Sequence, residues 1–128
     1  MKYLKGTDRF TWTNDEEEEK PFVIEKDGEK HDASVAETLL QLTRAYVPTQ
    51  GQMLSLDEID HLQRAKRILA KPPQENGYHR FETEHWNVLT KVVRWVLPQV
   101  NLYFVAPEVV QILNGAKDKP EVEPGSQV

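Results

Sequence analysis

The apolar positions of the chain are densest between residues 85 and 97, His-Trp-Asn-Val-Leu-Thr-Lys-Val-Val-Arg-Trp-Val-Leu. On a 3.6-residue period they point in almost every direction, and a helix that is apolar on most sides must be covered on most sides. The remainder of the fold is therefore expected to be built around this helix. Thr83 stands where its N-cap belongs, and Pro98 stands where it must stop or kink.

Two capped amphipathic patterns precede it. Ser34 and Glu37 form a capping box, in which the hydroxyl accepts from the Glu37 amide and the carboxylate reaches back. Val35, Leu39, Leu42 and Tyr46 then recur at helical spacing, with Ala36 and Leu40 beside them, until Pro48 ends the run. Ser55 and Glu58 form a second box, with Leu54 and Ile59 at the hydrophobic-staple positions. The helix it starts is expected to reach about residue 70, burying Leu56, Ile59, Leu62, Ala65 and Leu69 with Ile68 next to them. Lys71-Pro72-Pro73 stops it, and a turn at residues 74–77 leads into a short extended piece at 78–81. Residues 99–106, with Val100, Leu102 and Phe104 in alternation, fit either an extended segment or a helix continuing past a kink. Pro107 suits a first helical position, and Val109, Val110, Ile112 and Leu113 form a short helix closed by Gly115.

The N-terminal quarter has a different period. Residues 9–13 alternate, with Phe10 and Trp12 on one face, and residues 21–26 are a second short apolar run. They read as two strands joined by the acidic loop 14–20. Asp27-Gly28 marks a two-residue hairpin turn, and the strand after it (residues 29–31) is polar enough only for an edge. Residues 116–128 are rich in proline, glycine and charge without an apolar pattern, and are expected to be disordered. The expected class is mainly α (α+β), with short N-terminal β-hairpins followed by a compact bundle of about four helices. The expected organisation is a single globular domain over 1–115, comprising a hairpin region (1–32) and a helical body (33–115), and then a tail.

Composition narrows the function classes. A chain of 128 residues is long enough to bury its own core. Without cysteine it has no disulfide framework, thiolate metal site or thiol nucleophile, which fits a reducing cytoplasm. The first residues lack the apolar stretch of a signal peptide, and Lys91 and Arg94 interrupt the longest apolar run, so no membrane segment is expected. A net charge of −5 disfavours nucleic acid or an anionic membrane as main partner.

Candidate chemistry is sparse. His79, Glu82 and His85 form the densest set of metal-ligand types, and Asp57 and His61 stand at i, i+4. The two histidines of the first group are six apart, unlike the four of a one-helix zinc pair, so no metal or cofactor is expected. Arg64, Lys66, Arg67, Lys71 and Arg80 offer a basic patch for phosphates. Acid at the start of that helix and base at its end are, however, what the helix dipole favours by itself. A helix-turn-helix reading fails because the connection from Tyr46 to Ser55 is too long and the second helix leads with Asp57, Glu58 and Asp60. The acidic run lacks the spacing and the glycine of a calcium loop. Ser34 and Ser55 are caps, Ser126 lies in the tail, and neither G-x-S-x-G nor a glycine-rich phosphate loop occurs, so enzymatic activity is not expected. What remains is surface. Trp86, Arg94, Trp95 and Tyr103 are residue types that anchor interfaces, and whichever tryptophan is left uncovered becomes a partner site.

The order of parts resembles that of small proteins encoded by tailed phages and prophages. The likeness lies in a hairpin around the Asp27-Gly28 turn, a capped leucine-bearing helix (34–46), and a second helix opening Ser-Leu-Asp-Glu (55–70). A third helix with an acidic start and a short apolar closing segment (107–113) complete it. It covers residues 21–115 as a layout with no diagnostic motif, and the acidic loop and residues 99–106 depart from it. It implies an accessory or regulatory product acting by protein contact in the host cytoplasm. The expectation is thus a non-enzymatic interaction or assembly protein that binds another protein or itself. A nucleic-acid-binding regulator is the alternative, and a metal-dependent activity at the His/Glu cluster a distant third.

Overall fold

Asn14 sets the shape of the first hairpin. Its Oδ1 accepts the backbone amides of Glu16 and Glu18, its backbone oxygen accepts that of Glu17, and Glu17 takes a positive φ of 61°. The acidic run is therefore a locally wired turn. In the computed structural model, which describes residues 1–74, 77–99 and 101–118, β1 is Lys2–Leu4, and the turn lies between β2 (Thr11–Thr13) and β3 (Glu19–Pro21). β2 and β3 pair antiparallel, with Trp12 opposite Lys20. A second hairpin joins β4 (Val23–Lys26) to β5 (Glu29–Asp32) through Asp27 and Gly28, both at positive φ as a primed two-residue turn requires. β5 pairs with β4 alone and is an edge.

The expected single strand over 21–26 is split at Phe22. The Phe22 amide donates to the Phe10 carbonyl, its carbonyl accepts from Ala33, and the Phe10 amide donates to the Ala33 carbonyl. Phe10 and Ala33 are buried at this junction, so each hairpin is anchored at its base while its tip stays in water.

Ser34 then caps α1 (Val35–Arg44) and Ser55 caps α2 (Leu56–Leu69), each with both hydrogen bonds of the capping box. Ser55→Ala is expected to cost about 1 kcal/mol, read as a shift in urea midpoint at unchanged m-value. α1 ends two residues before the expected Tyr46. The inward stripe of α2 is also shorter than expected. Leu62, Ala65 and Leu69 are buried, but Leu56 is 85% exposed and Ile59 is exposed too, because the first turn of α2 overhangs the core.

β6 (His79–Phe81) pairs antiparallel with β1, and Tyr3 is bridged on its other side by Lys117. The central helix, α3 (Thr83–Val96), is N-capped by Glu82 and not by the expected Thr83, whose hydroxyl accepts instead from the Met1 amine. After α3 the chain makes a turn and a 3-10 turn at Tyr103–Val105 that runs into α4 (Ala106–Gly115). Residues 99 and 101–106 are thus not extended, and Val100 lies outside the described residues. Glu75 and Asn76 of the 74–77 turn and residues 119–128 of the expected disordered tail likewise lie outside the described residues. Residues 116–118, assigned to that tail by composition, hold positions on the fold. Lys117 pairs with Tyr3 through backbone bonds of 2.8 and 3.2 Å, and the Lys2 ammonium meets the Asp118 carboxylate at 2.7 Å.

Among the described residues the fold has four helices and six short antiparallel strands, with hairpins first and helices following, an α+β arrangement rather than a mainly helical one. The core runs through both regions. Leu4 and Phe10 from the strands join Leu39, Leu42, Leu62, Ala65, Phe81, Leu89, Val92, Val93, Val109 and Leu113. α3 lies at its centre against α1 and α2.

Candidate functional site

The two tryptophans of α3 have opposite fates. Trp86 is buried against the Phe81 ring, with centroids 5.2 Å apart, and presents no contact surface. It is removed from the expected partner-binding set, since a helix apolar all round turns this face inward. Trp95 is only half-buried and stacks on Tyr46 at 5.9 Å, where the chain leaves α1. The Tyr46 hydroxyl donates to the Gln52 carbonyl at 2.6 Å, fastening the connecting loop beneath it. On that connection Val47 and Met53 are more than 60% exposed, and Leu56 follows at the start of α2.

A polar edge borders this aromatic pair. The Lys91 ammonium sits 5.1 Å from the centre of the Trp95 ring and donates to Glu58 at 2.7 Å. That hydrogen bond, then the Ser55 amide, holds the Glu58 carboxyl below its ordinary value of 4.5. A depressed carboxylate stabilises the fold above its unfolded pKa, and this support is lost as pH falls through the folded value. Lys91 is thus tied both to the cap of α2 and to the exposed ring of α3.

The other members of the expected set engage different neighbours. Arg94 donates to the Asn114 side chain at 3.0 Å, linking α3 to α4. Tyr103 is 60% exposed beside Phe104, whose ring meets Trp12 at 4.7 Å and Phe22 at 6.3 Å. That cluster, on β2 and the 3-10 turn, is a second partly uncovered aromatic surface. Sequence periodicity did not reveal it, because its members come from segments more than eighty residues apart.

The basic residues come from α2, the segment after it and β6. Arg64 donates to Asp60 at 2.9 Å one helical turn away, which also holds Asp60 below its usual range. Lys66 and Arg67 lie on α2, Lys71 lies just beyond it, and Arg80 lies on β6.

The histidines separate as well. His79 is fully buried in β6, its Nε2 2.9 Å from the Lys71 carbonyl, and stands apart from the contacts made by His85. His85, in the first turn of α3, faces His61 of α2 with ring centroids 5.1 Å apart. Glu82 lies 3.8 Å from His85 Nε2, an ion-pair distance too long for a hydrogen bond. Asp57 makes no contact with either ring that would bring it into a ligand set, and no three candidate metal ligands stand together among the described residues. No helix of the described residues is long and apolar enough to cross a membrane. No protein-family model, curated protein or solved structure matches the chain.

Proposed function

We propose that this chain is a non-enzymatic interaction protein with an assembly or regulatory role, encoded by a phage and acting in the host cytoplasm, and that it meets a protein partner through the Tyr46–Trp95 face. The observation that carries the reading is the half-exposed stacked pair, flanked by the exposed apolar Val47, Met53 and Leu56 and edged by the Lys91–Glu58 ion pair. An aromatic centre with a charged rim is the usual anatomy of a contact surface. Isolated apolar side chains on a surface need no explanation, but several on one loop and the adjoining helix ends do. A core shared by strands and helices, with Lys117 bridged to Tyr3, supports treating residues 1–118 as the working unit. The absence of cysteine supports a reducing compartment.

Photocrosslinking tests this. A benzoylphenylalanine placed at Met53 is expected to give a discrete protein adduct in the source cell, whereas one at Glu25 on the β4 hairpin gives none. The adduct is expected to disappear when Trp95→Glu is added, with circular dichroism unchanged. An adduct of twice the chain mass identifies the partner as a second copy. Equal labelling from both positions, or an adduct indifferent to Trp95→Glu, ends the assignment of this face.

A further inference from the structure

The contact between α2 and α3 is the most extensive helix–helix contact of the fold, and two imidazoles meet within it. The Nδ1 atoms of His61 and His85 are both shielded from solvent, and neither has a hydrogen-bond partner among the described residues. A buried nitrogen left without a partner has given up its hydration for nothing, so two at one contact call for an occupant. We propose that His61 and His85 hold one divalent d-block cation of the zinc class between α2 and α3.

The geometry fits. Zinc–nitrogen bonds of about 2.0–2.1 Å at a tetrahedral angle set the centroids of two imidazoles on one ion about 5 Å apart, and here they are 5.1 Å apart at 44°. Ligation through Nδ1 leaves His85 Nε2 on the side of Glu82, 3.8 Å from its carboxylate. Among the described residues no third protein ligand joins the pair, so affinity is that of a two-imidazole site rather than a closed structural one.

The surrounding charges are mixed. Asp60 and Arg64 of α2 neutralise each other. Glu82, Arg80 and Met1 line a cleft of about 180 Å³ beside His85, with both signs of charge present. Neutral imidazole is the donor that zinc, copper and nickel prefer over magnesium or calcium, which sets the class of cation. Bound there, the ion ties α2 to α3 at the start of the central helix. The inference is independent of the proposed partner face, because neither Tyr46 nor Trp95 touches it.

Zinc chloride alone is the probe. At a hundredfold excess over its dissociation constant it is expected to raise Tm by several degrees, while magnesium chloride does not. His61→Gln and His85→Gln are each expected to abolish the rise, and His31→Gln to keep it, although His31 pairs with Glu37 on the surface. A second measurement uses the unsubstituted protein. Substoichiometric Cu²⁺ is expected to broaden the imidazole resonances of His61 and His85 before those of His31 and His79. No rise in Tm with zinc, a rise that survives both substitutions, or broadening centred on His31 overturns the proposal.

Discussion

Gly6→Ala is expected to unfold the protein at room temperature or to leave it about 3 kcal/mol less stable, a large share of the roughly 5–15 kcal/mol a domain has in total. A Cβ on Gly6 would lie 2.2 Å from His79 Nδ1, 2.5 Å from His79 Cε1 and 2.9 Å from the Ala36 Cβ. None of the three can retreat at small cost. His79 is fully buried with Nε2 held by the Lys71 carbonyl, and Ala36 sits in the first turn of α1, its amide donating to the Gly6 carbonyl. Urea denaturation followed by circular dichroism measures the loss. A double-mutant cycle with His79→Ala isolates its cause, since removing the imidazole relieves the worst overlap and the two changes must then cost less than their sum. Additive costs would mean that Gly6 matters for some reason other than this contact.

The second large effect separates the tryptophans of α3. Trp86→Ala is expected to cost about 3–5 kcal/mol, the range for emptying a buried aromatic site. Trp86 is 4% exposed and packs on Phe81 of the strand that β1 covers, so its removal opens a void that few side chains can fill. Trp95→Ala is expected to cost about 1–2 kcal/mol, as a half-exposed ring has less to lose. Thermal and urea unfolding of both variants check the ordering. A Trp95 substitution as costly as that of Trp86 would show the ring to be part of the core, leaving the proposed partner face without its centre.

Much of the fold was legible because some residues act through their nearest neighbours. Each capping serine and its glutamate lie three residues apart, so Ser34 and Ser55 announce their helices without any tertiary context. Asp27-Gly28 does the same for its hairpin, since the backbone conformation the turn needs is itself a local property. Legibility ends where a partner is distant. Nothing near Phe22 says that Phe10 and Ala33 will take its backbone bonds and split a continuous apolar run into two hairpins. Periodicity shows that Leu56 and Leu62 both belong to α2, but not that the core stops short of the first turn.

The candidate sites were less legible still. Sequence spacing grouped His79 with His85, six residues away, whereas the fold pairs His85 with His61, twenty-four residues back, and sends His79 to Gly6. It named Trp86 and Trp95 together as candidate anchors, though only contacts from α1 and β6 decide which ring is covered. Aromatic and imidazole side chains carry little local preference, so their placement follows from packing between elements.

The wiring of the first hairpin tip reaches beyond its own shape. Because Asn14 fixes the backbone of the turn from within, Asp15, Glu16 and Glu17 project from one tip, beside a Glu18 that faces Lys20 at 3.7 Å. Such a cluster gives the molecule a lopsided field, felt within roughly a Debye length of about 8 Å at physiological salt. Anything that approaches from solution is turned before it touches: acidic surfaces, a second copy's hairpin tip among them, are deflected, and basic ones are drawn in. For the partner proposed above, this field acts at the stage of orientation, before any contact with the aromatic face.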